Sequence, residues 1–146
     1  MSAPSTLVPP QQLIAAAKAP TIAYNNKDWA ALRAAVTPDF IYDEVGTQRK
    51  VQGVDQATTI FQGWAAAFPD SRGTFGGAIA SGNTVALEVT WEGTHQGTLQ
   101  TPDGTVAPTG RRFEIRACML LELTGEKVSL QRHYFDMATL LRQLGA

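Results

Sequence analysis

Up to about residue 70 the apolar residues recur at helical spacing, and from Ser71 onwards they recur at every second position. Gln11 to Asn26 is Ala-rich, carries Leu13, Ile14, Ala17, Ile22 and Ala23, and stops at the Asn25-Asn26 pair, which predicts a first helix. Pro20 lies inside it, so a kink or two short helices is expected. Asp28 suits the N-cap of a second helix, Trp29 to Val36, closed off by Pro38. Phe40-Ile41-Tyr42 predicts a short strand, and Glu44-Val45-Gly46 a turn. A third helix follows Gly53, with Asp55 as its expected cap, and reaches about Phe68. Its Phe61, Trp64 and Phe68 fall at i, i+3 and i+7, on one face.

In the second half Val85, Leu87, Val89 and Trp91 alternate with Ala86, Glu88, Thr90 and Glu92. Phe113 to Leu123 alternates with Arg112 to Glu122, and Val128, Leu130, Arg132 and Tyr134 with Ser129, Gln131, His133 and Phe135. Turn signals join these strands: Ser81-Gly82-Asn83, Pro102-Asp103-Gly104 and Thr124-Gly125-Glu126. A closing helix, Met137 to Leu144, ends at Gly145, where a left-handed residue is wanted. Helices, then an antiparallel meander, then a short helix predict an α+β fold. The strands are apolar on one face and mixed on the other. A curved sheet accounts for this, with helices on its concave face and a partner subunit on the convex one.

A chain of 146 residues with 44% hydrophobic and 17% charged residues has the size and composition of one packed domain. The expected organisation is a tail over 1–10 and a single domain over 11–146. Net charge is −1, which gives no electrostatic reason for binding nucleic acid or an anionic membrane. Met1 to Pro10 lacks the basic and apolar stretches of a signal peptide, and no run approaches the roughly 20 apolar residues that span a bilayer. A cytoplasmic location is therefore expected. One cysteine, Cys118, excludes an internal disulfide; set in an apolar strand, it reads as a buried, inert thiol. His95 and His133 lie far apart in sequence, so no metal site is expected, and no phosphate-cradling glycine motif or nucleophile elbow occurs. Chemistry on this chain must then run on carboxylates, hydroxyls and a histidine, without a cofactor.

Phe68-Pro69-Asp70, Trp91-Glu92-Gly93-Thr94-His95-Gln96-Gly97, Pro108-Thr109-Gly110-Arg111, Tyr134-Phe135-Asp136 and Gln143-Leu144-Gly145 follow one another in an order that resembles the SnoaL-like polyketide cyclases, a branch of the NTF2-like superfamily. The likeness runs from about Gln11 to the end. It implies an NTF2-like cone, a curved antiparallel sheet wrapped around the N-terminal helices, and a homodimer through the outer sheet face. It also implies an intramolecular aldol closure of a polyketide ester, a lyase-type reaction needing neither metal nor nucleotide. Asp136 lies at the position of the family's general acid/base, near the end of the last strand. A carbon between carbonyls is already acidic, so the protein need only exclude water, hold the reactive conformer and shuttle a proton. A lone carboxylate suits this if an apolar wall raises its pKa. Ile41-Tyr42-Asp43-Glu44-Val45-Gly46 looks like the segment carrying the base of ketosteroid isomerases, which places Asp43 as a second candidate. Arg116-Ala117-Cys118 departs from the Arg-x-Asp pair of limonene-epoxide hydrolases, which speaks against epoxide opening.

Each candidate has a second reading. Asp136 stands directly before the closing helix, where it would serve as an N-cap. His95 would meet a substrate carbonyl, orient Asp136, or anchor Pro108-Thr109-Gly110. His133 should face away from the pocket, towards solvent or a partner subunit. Asp43 and Glu44 read equally as solvated acids at a strand end. Trp29, Tyr42, Phe61, Trp64, Phe68, Trp91 and Met119 are candidate walls of a pocket for a small hydrophobic or aromatic carbonyl compound, or ordinary core. Beside the cyclase-like or isomerase-like enzyme stands a non-catalytic protein whose cone holds an apolar ligand or mediates subunit pairing.

Overall fold

The structure, a computed structural model, describes residues 8–146. The expected tail falls mostly outside that range. Val8 already packs on the core, and the first helix, α1 (Pro10–Asn25), opens with Pro10 in its first turn, where a missing N–H costs nothing. Instead of breaking at Pro20, α1 runs through it. Pro20 is buried along with Leu13, Ala17, Thr21, Ala23 and Tyr24, so packing of this face offsets the lost helical bond. Helix α2 (Trp29–Ala35) follows, and the Ala31 N–H donates to Asp28 Oδ1 at 3.0 Å, the expected cap.

Strand β1 (Val36–Glu44) is longer than the predicted Phe40–Tyr42, because it passes through Pro38. Pro38 is tolerated where pairing to the neighbouring strand lapses, between Val36 and Ile41. A 3-10 turn (Val45–Thr47) leads to β2 (Arg49–Gln52), a short strand that the sequence pattern did not show. Helix α3 (Val54–Ala67) is capped by Gly53, not Asp55; the Asp55 carboxylate turns outward to an ion pair with Arg33. Then come β3 (Arg72–Ser81), β4 (Thr84–Thr94), the hairpin β5 (Leu99–Thr101) and β6 (Gly104–Val106), β7 (Arg112–Thr124), β8 (Lys127–Tyr134) and α4 (Met137–Gln143). Gly145, at φ 77°, ends α4 as expected.

The large sheet has the order β2-β1-β8-β7-β4-β3. Its neighbours are antiparallel except β1 and β8, which run parallel, so the sheet is mixed where an antiparallel one was expected. The architecture is otherwise the expected α+β one, a curved sheet with helices laid across its concave face. Two apolar clusters fill the interior. One joins α1, α2 and α3 to the middle of the sheet through residues such as Leu13, Leu32, Phe40 and Leu87. The other joins Phe68, Leu99 and Phe113 to Met137, Leu140 and Leu144 of the closing helix and its end. Among the described residues no helix is long and apolar enough to cross a membrane.

One irregularity decides what the interior contains. Leu123 of β7 pairs with Val128 of β8, but the next position, Glu122, pairs with Leu130, so β8 holds an extra residue at Ser129. Side chains alternate strictly in a strand, and one inserted residue swaps the faces beyond it. Val128 therefore points inward before the bulge, and Gln131 and His133 point inward after it.

Candidate active site

Between the two apolar clusters lies a chamber of about 80 Å3. This is smaller than the roughly 150 Å3 of an engineered cavity that takes up benzene, so a ligand larger than a few atoms must displace wall side chains. Tyr42, Phe61, Trp64, Phe68, Trp91 and Met119 of the expected pocket residues line it. Trp29 does not; it packs edge-on against Tyr24, with ring centres 6.0 Å apart, and supports the wall from behind. Eleven further lining residues were not singled out for the pocket, among them Tyr24, Ser71, Gln131, His133 and Phe135, which bring polar groups or aromatic rings to the wall. Trp64, Trp91 and Phe135 are only partly buried and are the aromatic walls with most room to shift.

At one end of the chamber a chain of polar groups runs inward. Trp91 Nε1 lies 3.1 Å from His133 Nε2, His133 Nδ1 lies 2.9 Å from Tyr42 Oη, and Tyr42 Oη lies 2.8 Å from Glu44 Oε2. An indole N–H only donates and a carboxylate only accepts. The chain consequently has one self-consistent proton order. Trp91 donates to Nε2, neutral His133 carries its proton on Nδ1 and donates to Tyr42, and Tyr42 donates to Glu44. Burial holds His133 at a pKa of about 4, with the Glu44 charge pulling the other way, so the ring is neutral at ordinary pH. Burial first and the Glu44 charge second push the Tyr42 phenol well above its usual value.

Glu44 is 0% exposed and fully engaged. Oε1 accepts from Thr47 Oγ1 at 2.5 Å and from Arg49 Nε and Nη2 at 3.2 and 2.8 Å; Oε2 accepts from Tyr42 and from Trp64 Nε1 at 2.8 Å. A buried carboxylate persists when it is paired and hydrogen-bonded in this way. The reading of Glu44 as a solvated acid is thus corrected. Phe40, Tyr42 and Glu44 share the inner face of β1 at period two, and Asp43 falls on the outer face.

The remaining sequence candidates lie elsewhere. Asp136 is exposed at the head of α4, and its carboxylate accepts from the Ala138 and Thr139 N–H groups at 3.0 and 3.3 Å and from Thr139 Oγ1 at 2.7 Å. The Thr139 hydroxyl and N–H, together with the Ala138 N–H and Arg142, hold it below the usual carboxylate range, the opposite of what a neutral-pH proton donor needs. It borders surface depressions, not the chamber. His95 is fully buried but does not line the chamber. It anchors the segment ahead of β7: Thr109 N–H donates to its Nδ1 at 3.2 Å, Gly110 N–H to its carbonyl at 2.8 Å, and its own N–H to the Arg111 carbonyl at 2.9 Å. Burial lowers its pKa, with the nearby Gly97 backbone acting in the opposite direction. Asp43 is half-buried beside Lys50 and Arg132 in the sheet register, on the face away from the chamber.

Two assignments reverse. His133, expected to face outward, is a chamber residue with 8% exposure because the Ser129 bulge moves it there. Cys118, expected to be buried, is exposed on the outer sheet face opposite Tyr134. Among the described residues no three His, Cys, Asp or Glu side chains converge as metal ligands would.

The model of the SnoaL-like polyketide cyclase family matches residues 15–144. No curated protein matches the chain. Among solved structures, a candidate SnoaL-like polyketide cyclase from Jannaschia sp. CCS1 superposes with a TM-score of 0.83 at 17% identity, over 94% of this chain and 94% of that one. IdmH of Streptomyces antibioticus, described as a candidate polyketide cyclase, gives 0.79 at 24% identity over 92% and 99%. Both likenesses speak to the fold. AclR of Streptomyces galilaeus, described as a candidate hydroxylase, gives 0.77 at 26% identity over 92% of this chain and 82% of that one.

Proposed function

The chain belongs to the SnoaL-like polyketide cyclase family, and from that premise we propose that it is a cofactor-independent acid/base enzyme acting on a hydrophobic carbonyl compound, with His133 as the proton-transferring group. The observation that carries this reading is the Trp91–His133–Tyr42–Glu44 chain ending in an apolar chamber. As the Trp91 N–H gives way to substrate, His133 Nε2 takes a proton from a carbon flanked by carbonyls. The electrons of that C–H bond pass into an enolate, whose carbon attacks a second carbonyl carbon of the same molecule. The alkoxide formed takes the proton back from Nε2. During this cycle the imidazolium donates through Nδ1 to Tyr42, and the Glu44 carboxylate beyond it balances the transient charge. Asp136, Asp43 and His95 have no step in this scheme.

A second reading, ligand binding without turnover, draws on the saturation of the same chain, in which each polar hydrogen already has an acceptor. Deuterium uptake separates the two. With ethyl acetoacetate in heavy water, the wild-type protein should accelerate exchange of the carbon-bound protons, His133→Asn should lose the acceleration, and Asp136→Asn should keep it. Binding without accelerated exchange favours the second reading. Under either reading the outer sheet face, which carries Ile79 at 72% exposure, Leu120 and, three strands from Ile79, Tyr134, is proposed as the homodimer surface.

A further inference from the structure

Away from the His133 chain, the chamber wall carries a second polar pair whose hydrogens do not balance. Tyr24 Oη, on the last turn of α1, lies 2.6 Å from Ser71 Oγ, just ahead of β3. Both residues are buried, and both line the chamber. The two oxygens bring two O–H hydrogens, and the bond between them uses one. Among the described residues neither oxygen has another hydrogen-bond partner. One O–H therefore remains unspent in an apolar chamber, where an unsatisfied donor is unfavourable. Around His133, by contrast, the indole, imidazole and phenol hydrogens are all committed.

The surroundings hold the pair in a donating state. Lys27 Nζ donates to the Ser71 carbonyl at 2.7 Å and sits 4.3 Å from the centre of the Tyr24 ring, fixing the position of both residues. Burial pushes the Tyr24 phenol up to about 12, against the opposing pull of Ser71, so it stays protonated and does not act as a base. Trp91 touches both polar stations, its ring centre 5.4 Å from that of Tyr24 and 5.9 Å from that of His133.

We propose that the Tyr24–Ser71 pair is a docking point for a carbonyl oxygen of the ligand, which accepts the unspent O–H. The ligand class is then one with two oxygen functions on a single apolar frame, one held here and one presented to His133, with the Trp91 ring alongside. This rests on the chamber being the ligand site, but not on His133 being the base.

The test uses acetophenone and isopropylbenzene, which have the same number of heavy atoms and differ in the carbonyl oxygen. Binding is followed by tryptophan fluorescence and calorimetry. The wild-type protein should bind acetophenone about tenfold more tightly, the worth of one ordinary hydrogen bond. Because either hydroxyl alone still supplies an O–H, Tyr24→Phe and Ser71→Ala singly should keep most of the preference. The double variant should lose it while binding isopropylbenzene within about twofold of wild type. Asp43→Asn, on the outer sheet face, should leave the preference intact, and the preference is read by binding alone, which separates this result from the exchange experiment. Equal affinities in the wild-type protein, no binding of either compound, or a preference that survives in the double variant overturns the proposal.

Discussion

The indole N–H of Trp91 is 3.1 Å from Nε2 of His133, and that single contact fixes the proton on the opposite ring nitrogen. With Nδ1 protonated, Tyr42 can only accept from His133 and must send its own hydrogen to Glu44. A residue on β4 thereby sets the direction of a hydrogen-bond chain that ends on β1.

His133 is neutral in the folded protein down to a pKa of about 4, against an ordinary 6.5. Below pH 6.5 the unfolded chain takes up a proton that the folded chain does not bind until about pH 4. Stability should therefore fall as pH drops through that window, by about 3 kcal/mol in full, and be complete above it. His95, also buried with a lowered pKa, contributes with the same sign. Urea unfolding at intervals from pH 4 to 8 measures the slope, and His133→Asn should reduce it; a flat wild-type profile contradicts the burial of a neutral ring.

Glu44→Gln should destabilise the protein by about 3 kcal/mol, since it removes the charge that five donors converge on and leaves the Arg49 guanidinium without its partner. Equilibrium denaturation checks this. The loss should exceed that from Asp43→Asn, whose carboxylate lies on the other face of the strand.

Asp136→Ala should lower the melting temperature, because the first N–H groups of α4 lose their acceptor, and Asp136→Asn should leave it nearly unchanged, since asparagine caps as well as aspartate. Neither should alter ethyl acetoacetate exchange. Loss of exchange in Asp136→Asn with an unchanged melting temperature would return the acid/base role to Asp136.

A side chain at position 46 has no room. A Cβ on Gly46 would stand 2.7 Å from Cε2 of Phe135, a ring that lines the chamber. Gly46→Ala should push that ring towards the chamber, costing about 1–3 kcal/mol and weakening ligand binding more than a surface substitution of similar cost. Calorimetric binding of acetophenone, alongside thermal unfolding, reports both effects.

Periodicity made the helices and most long strands legible, and the Asp28 cap and Gly145 stop followed from local chemistry. Period two on β1 also contained the inward placing of Glu44: once Tyr42 is inside, Glu44 must be. What alternation could not show is the bulge at Ser129, because an inserted residue has no composition of its own and is set by pairing with β7. That one residue exchanged the faces of His133 and its neighbours. For Asp136 both roles were legible, since the spacing already placed it as the cap of the closing helix. What the sequence could not show is that the N–H groups of α4 hold its carboxylate outside the chamber.

The most direct test of the His133 chain is the ring nitrogen spectrum of the 15N-labelled protein across pH. The expected result is a neutral His133 with hydrogen on Nδ1 and none on Nε2, holding to a midpoint near pH 4. A hydrogen on Nε2, or a midpoint at the ordinary 6.5, contradicts it.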